Sequence, residues 1–129
     1  MWNTKYIKLI SGLSLLVALT LMVWNDSNLW EDEDYAVYVI DGQTHFGIKI
    51  DDEGSFHGRV EPEIIAAGSN EKFVVIARKI NKSVIYFYIE KSKDNKYLDS
   101  NEVIEAGYSL EVFNELKKQH GFPEFSVYF

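Results

Sequence analysis

The chain has 129 residues, of which 20 are acidic and 13 are basic, and its formal net charge at pH 7 is −7. Apolar residues make up 47% of the chain and aromatic residues 15%, which excludes a disordered acidic tail. No cysteine is present, which excludes disulfides, thiolate metal sites, a cysteine nucleophile and the lipid attachment of a bacterial lipoprotein.

The N-terminal segment is strongly apolar. Residues 7–24 read IKLISGLSLLVALTLMVW, with Lys8 as the only charge. This length is near the ~20 residues that a helix needs to cross a bilayer, and Lys8 can reach the interface. We therefore predict a transmembrane helix within residues 1–24, in contact with the lipid bilayer through residues 7–24.

The charges around this segment predict its orientation. Lys5 and Lys8 precede the apolar run and acidic residues follow it, so the positive-inside rule places the N-terminus in the cytoplasm. The remainder would then lie in the periplasm or outside the cell, on a single-pass protein of the cytoplasmic membrane. A cleaved signal peptide and a buried cytosolic helix are the alternatives, although residues 21–24 (LMVW) lack a small-residue cleavage site.

Residues 25–34 are polar and acidic, and we predict that they form a stalk for a globular domain at residues 35–129. The domain begins with two apolar runs, 36–40 and 46–50, separated by Asp41-Gly42, which predicts a β-hairpin. Residues 51–54 form the next turn. A short strand at 56–60 is expected to end before Pro62.

Two further strands are predicted at residues 72–78 (KFVVIAR) and 83–90 (SVIYFYIE), and we expect them to be central in the sheet. Residues 91–101 are charged and predict a surface loop. Ser109 and Gly121 are the expected caps of an amphipathic helix from about Leu110 to His120, and residues 124–129 predict an edge strand. The predicted fold class is α+β: one antiparallel sheet of four to six strands with one C-terminal helix.

No catalytic, metal or cofactor motif is found in this sequence. His45, His57 and His120 are far apart and lack the spacing of a metal site. Residues 94–102 are rich in oxygen ligands but lack the register of a calcium-binding loop, and no glycine-rich phosphate loop precedes a helix. A hydrolase using His57 with Ser55 is an alternative, although no oxyanion hole is indicated. We therefore predict a non-enzymatic protein without cofactor or metal.

The charge is concentrated after the membrane segment. All 20 acidic residues follow Trp24, together with 11 of the 13 basic residues, since only Lys5 and Lys8 precede it; the exported part thus carries −9. This charge excludes nucleic acid as a ligand, because a phosphate backbone attracts lysine and arginine. It would steer a basic protein partner, or it would only confer solubility.

Part of the chain resembles a family of small bacterial lipoproteins and membrane-anchored proteins of unknown function. The features that carry the resemblance are Val60-Glu61-Pro62, Ile64-Ile65, Gly68, residues 72–77 (KFVVIA), residues 86–89 (YFYI), residues 107–110 (GYSL) and residues 111–113 (EVF). Tyr108 stands where the family has proline. The resemblance implies an exported, anchored α+β domain and implies no catalytic residue.

The sequence therefore predicts a membrane-anchored protein-binding domain. Its specific form would be an immunity protein that neutralises an antibacterial toxin acting at the cell envelope. The expected contact residues are the acidic residues of strand ends and loops: Asp51, Asp52, Glu53, Asp94 and Asp99. The alternative is an accessory subunit of an envelope complex that associates through the small residues Ser11, Gly12 and Ser14 of the membrane segment.

Overall fold

The computed structural model describes residues 28–129, which form two antiparallel sheets of four strands each. The first sheet has the order β1-β2-β3-β4, with β1 Asn28–Glu31, β2 Tyr35–Ile40, β3 Gln43–Lys49 and β4 Phe56–Val60. The second sheet has the order β7-β6-β5-β8, with β5 Ile64–Ser69, β6 Phe73–Ile80, β7 Ser83–Glu90 and β8 Val127–Tyr128. A 3₁₀ turn at Lys91–Lys93, helix α1 at Ser100–Val103 and helix α2 at Leu110–His120 complete the described chain.

The prediction of an α+β domain with a single sheet is wrong, because the described chain has many more residues in strands than in helices and its strands divide between two sheets. The division occurs at residues 61–63, where the chain leaves β4 in the first sheet and enters β5 in the second. The predicted transmembrane helix at residues 7–24 lies outside the described residues. Within residues 28–129, no helix is long and apolar enough to cross a membrane.

The two sheets face each other across the main core. Alternate residues of the strands point into it: Tyr35, Val37, Phe46 and Ile48 from the first sheet, and Val74, Ile76 and Ile89 from the second. Alternation places successive side chains of a strand on opposite faces, so each sheet has one face in this core. The Thr44 hydroxyl accepts a hydrogen bond from the Ile64 N–H at 3.0 Å, which joins the start of β3 to the start of β5.

The hairpin predicted at Asp41-Gly42 is confirmed. Both residues have positive φ, 51° at Asp41 and 77° at Gly42. Such a pair of angles is typical of a type I′ turn, which matches the twist of two antiparallel strands and favours Asp-Gly. The predicted strand at 56–60 is also confirmed as β4.

Helix α2 covers the outer face of the second sheet, and the predicted bounds of this helix are confirmed. The Ser109 Oγ accepts a hydrogen bond from the Val112 N–H at its start, and Gly121 ends it with φ at 73°. Phe113 is the buried residue of the helix and packs with Phe73, Val75 and Phe122 in a second core.

Two further predictions about strands need correction. Residues 28–31 belong to the segment expected to be a stalk, but they form β1, and Trp30 packs against the main core. Strand β7, which was expected to be central, lies at the edge of the second sheet. Among residues 28–129, its outer edge pairs only at Tyr86, which exchanges two main-chain hydrogen bonds with Tyr108.

Candidate functional site

The turns of the domain gather at two opposite ends. One end holds the β1–β2 turn (32–34), the β3–β4 turn (50–55), the β5–β6 turn (70–72) and the loop after β7 (91–99), and we call it the acidic end. The other end holds the β2–β3 turn (41–42), the connection at 61–63 and the β6–β7 turn (81–82), and we call it the basal end. The turns divide in this way because consecutive strands in both sheets run antiparallel, so successive connections lie at alternate ends.

The predicted contact residues Asp51, Asp52 and Glu53 lie together in the exposed β3–β4 turn. The Asp51 Oδ1 accepts hydrogen bonds from the N–H groups of Glu53 at 2.9 Å and Ser55 at 3.3 Å, and thereby fixes the turn. The carboxylates of Asp52 and Glu53 form no ion pair with any residue in the range 28–129. These two side chains are therefore available to a partner.

The β1–β2 turn adds a second acidic group that the sequence did not indicate as a site. The sequence predicts that its residues Asp32, Glu33 and Asp34 belong to a stalk, whereas in the structure they lie beside the β3–β4 turn. The Lys49 N–H donates to the Asp34 carbonyl at 2.7 Å, so this turn is anchored to the strand that leads into Asp51. Glu33 and Asp34 are exposed. Two neighbouring turns of the first sheet thus each present consecutive acidic residues.

Asp32 differs from its neighbours because its carboxylate turns inward. Its side chain is only 7% exposed, and its Oδ2 lies 2.6 Å from Nζ of Lys91. Burial alone would raise the pKa of Asp32, but hydrogen bonds from Lys91 and Ser69 and the charge of Lys91 outweigh it and hold that pKa below its ordinary value. Asp32 therefore joins the two sheets and is not a contact residue.

The prediction that Asp94 contacts a partner is wrong. Its side chain is fully buried against the equally buried side chain of Arg59. Arg59 donates to both carboxylate oxygens of Asp94, and the Tyr35 hydroxyl donates to Oδ2 at 2.8 Å. The remaining donors of Arg59 reach the carbonyls of Gly58, Asn95 and Leu98. Asp94 thus holds the loop at 91–99 in place.

Asp99, the last of the predicted contact residues, is exposed at the acidic end. Its Oδ1 lies 3.4 Å from Nε2 of His57, and its N–H donates to Glu102 Oε2 at 2.7 Å at the start of α1. Lys96 in the same loop donates to the Ile50 carbonyl at 3.4 Å. The loop is therefore connected to the β3–β4 turn, and Asp99 and Asp51-Asp52-Glu53 belong to one surface.

The alternative of a hydrolase with His57 and Ser55 is not supported by the geometry. The Nδ1 of His57 lies 3.4 Å from the Lys96 carbonyl, and its Nε2 faces Asp99. No serine hydroxyl is a hydrogen-bond partner of His57 within residues 28–129. In the same range, no group of three or more His, Cys, Asp or Glu residues is arranged to hold a metal ion.

Comparison of the chain with protein-family models, with curated proteins and with solved structures finds no match. The resemblance carried by residues 60–113 therefore stays a prediction.

Proposed function

We propose that this chain is a non-enzymatic, membrane-anchored protein-binding domain that recognises a basic protein through its acidic end. The supporting observation is the pair of neighbouring turns at 32–34 and 51–53, in which every residue is acidic. Glu33, Asp34, Asp52 and Glu53 are exposed and form no ion pair within the described part of the chain. Exposed carboxylates accelerate and orient the approach of a partner of opposite charge.

The specific form of this function is an immunity protein that neutralises an antibacterial toxin acting at the envelope. Residues 7–24 would hold it at the cytoplasmic membrane with the domain outside the cytoplasm, where such a toxin acts. Four side chains of the acidic end suit this task, because Glu33, Asp34, Asp52 and Glu53 lie on turns between directly paired strands. Binding then requires little ordering of the backbone.

The test is affinity capture from an envelope extract of the producing strain, with the full chain in mild detergent as bait. The first variant, Asp52→Lys/Glu53→Lys, reverses two charges in the β3–β4 turn. The control, Glu111→Lys/Glu115→Lys, makes the same change in net charge on the exposed side of α2. We expect the wild type and the control to retain one basic protein, and the first variant to bind it about tenfold or more weakly.

The retained protein must also be toxic when it is expressed alone, and co-expression of the wild-type chain must restore growth. Equal binding by the two double variants would contradict the role of the acidic end. A retained protein without toxicity would contradict the immunity function but leave protein binding in place.

The alternative function is an accessory subunit that associates through its membrane segment. The observation in its favour is the group of small residues Ser11, Gly12 and Ser14, which permits close packing of helices in a membrane. Replacing residues 1–24 with an unrelated membrane anchor separates the two functions. An immunity domain would still protect the cell, whereas the accessory subunit would lose its complex.

A further inference from the structure

The place where the chain enters the first sheet determines how the domain sits relative to the segment before it. Strand β1 begins at Asn28, which pairs with Tyr38, and ends at Glu31, which pairs with Ala36. Strand β2 runs from the acidic end at Tyr35 to the basal end at Ile40. The chain therefore enters the sheet in its basal half and runs towards the acidic end.

The connection between the apolar segment and the sheet is very short. The apolar run ends at Trp24, so only residues 25–27 separate it from β1. Even a fully extended chain spans only about 14 Å from Trp24 to Asn28. The ten-residue stalk expected from the sequence would have lifted the domain clear of a membrane. If residues 7–24 span the bilayer and Trp24 lies at the edge of the hydrocarbon core, Asn28 lies within about 14 Å of that core.

The basal end carries exposed apolar side chains at the turns that would face the membrane. Val39 and Ile40 at the end of β2 are 45% and 50% exposed, and Val84 at the start of β7 is 36% exposed. Tyr128 and Phe129 are also exposed, and the Phe129 N–H donates to the Ile65 carbonyl near the start of β5. At the acidic end, the exposed large hydrophobic residues are Ile50 and Tyr97.

The two ends also differ in charge, and this difference likewise favours the basal end as the one that faces a membrane. The turns of the basal end hold three acidic residues, Asp41, Glu61 and Glu63, and one basic residue, Lys82, and the adjoining end of β6 adds Arg78 and Lys79. Lys79 and Lys82 are exposed beside Val84. Anionic headgroups would repel the acidic end, but they attract the positive charge of these lysines and can accept hydrogen bonds from them. Apolar turns flanked by lysines are suited to the interface of a bilayer.

We propose that the basal end lies against the lipid surface, with Val39, Ile40 and Val84 at the headgroup boundary and Lys79 and Lys82 on lipid phosphates. This inference depends on membrane attachment through residues 7–24, which is part of the proposed function. It adds a fixed orientation: the acidic end points away from the membrane, towards a partner that arrives from outside. The contact also shields apolar turns that would otherwise face water.

The test uses the absence of native cysteine, which makes a single introduced cysteine a unique labelling site. The full chain is reconstituted in vesicles of phosphatidylcholine and phosphatidylglycerol with an environment-sensitive fluorophore at Ile40→Cys, Val84→Cys or Asp52→Cys. Nitroxide-labelled lipids then quench only fluorophores near the bilayer. We expect at least twofold stronger quenching at positions 40 and 84 than at position 52, which serves as the control at the acidic end.

The possible outcomes distinguish failure of this inference from failure of the proposed function. Equal, weak quenching at all three positions in protein that the vesicles retain would overturn the inference and leave the anchor in place. Protein that the vesicles do not retain would overturn both. Contact between labels on two copies at position 40, without quenching by lipid, would assign the basal end to a second copy and also overturn the proposal.

A charge variant provides an independent measurement with the same label. Lys79→Glu/Lys82→Glu should reduce quenching at position 40 in vesicles that contain phosphatidylglycerol and have no effect at position 52. Unchanged quenching at position 40 would contradict the proposed contact of Lys79 and Lys82 with lipid phosphates.

Discussion

Arg59 and Asp94 form an ion pair whose side chains are both fully buried, with Nη2 of Arg59 2.8 Å from Oδ1 of Asp94. The pair joins β4 of the first sheet to the loop that follows β7 of the second. The Tyr35 hydroxyl also donates a hydrogen bond to Asp94. Burial, and to a lesser extent this hydrogen bond, raises the pKa of Tyr35 far above its ordinary value. A carboxylate that accepts this many hydrogen bonds determines the conformation of the loop that carries Asp99.

Replacing Asp94 should destabilise the protein strongly. In Asp94→Ala, the buried Arg59 guanidinium loses its counter-charge, and such a loss costs about 3 to 5 kcal/mol of unfolding free energy. The measurement is urea unfolding of the full chain in mild detergent, followed by circular dichroism. Asp52→Ala, at an exposed position, is the matched control and should change stability by about 0.5 kcal/mol or less. Similar losses in the two variants would contradict the structural role of Asp94.

The Asp32–Lys91 pair predicts a specific dependence of stability on pH. Because the folded pKa of Asp32 is lowered, its stabilising contribution is complete above the ordinary value of 3.8 and is lost as pH falls through the folded pKa. We expect Asp32→Asn to lose about 1 kcal/mol at neutral pH, and we expect the difference from wild type to shrink on acidification below about pH 4. Glu33→Gln, exposed in the same turn, is the control and should show no such trend.

Unfolding free energies of the wild type, Asp32→Asn and Glu33→Gln between about pH 2 and pH 7 test this prediction. A difference between wild type and Asp32→Asn that stayed constant across the range would show that the ionised form of Asp32 is not favoured by folding.

Two glycines in strands should respond in opposite ways to a methyl group. A Cβ at Gly68 in β5 would lie 2.2 Å from the carbonyl oxygen of Glu124 and 3.0 Å from Cα of Phe125, both in the main chain of the C-terminal segment. Gly68→Ala should therefore displace that segment from β5 and cost about 1 to 3 kcal/mol. At Gly58 in β4, an added Cβ has no heavy atom within 4 Å among the described residues, apart from those of the glycine and its two chain neighbours.

Gly58→Ala should leave stability unchanged or raise it by about 0.4 to 1 kcal/mol, because alanine restricts the unfolded chain. Thermal unfolding of the two variants beside the wild type is the measurement. Equal effects at the two positions would mean that the C-terminal segment does not press on β5 as closely as the structure indicates.

The sequence predicted the local elements that have clear residue patterns. Asp41-Gly42 specified the first hairpin, and Ser109 with Gly121 specified the bounds of α2. Strand β5 was missed because its residues 64–69 (IIAAGS) are small or apolar without alternation, although they pair with β6 on one side and β8 on the other. The division into two sheets depends on long-range contacts such as Thr44 with Ile64, which no local pattern contains.

Only part of the candidate acidic surface could be located from the sequence, because its position also depends on long-range contacts. Asp52 and Glu53 were identified because turn residues between strands are exposed. Asp94 was misassigned because its loop composition gives no sign of Arg59, which is 35 residues away in sequence. The group at 32–34 was missed because polar residues after an apolar run are typical of a linker, and only the pairing of β1 with β2 reveals their position.

The second core should depend on Phe113 more than on any neighbouring residue of α2. Phe113 is buried, and its ring centroid lies 5.2 Å from that of Tyr86 and 5.4 Å from that of Phe122. Phe113→Ala leaves a cavity between the helix and the second sheet and should cost about 3 to 5 kcal/mol.

Val112, the preceding residue, is exposed and provides the control. Val112→Ala should change stability by about 0.5 kcal/mol or less, because Val112 is 47% exposed and alanine favours the helix. Urea unfolding followed by far-ultraviolet circular dichroism distinguishes two ways in which Phe113→Ala can act. One cooperative transition at lower urea would show that the helix and both sheets unfold together. Separate loss of helical signal before the sheets unfold would show that α2 is an independent cover on the second sheet, and it would contradict a loss of 3 to 5 kcal/mol for the whole domain.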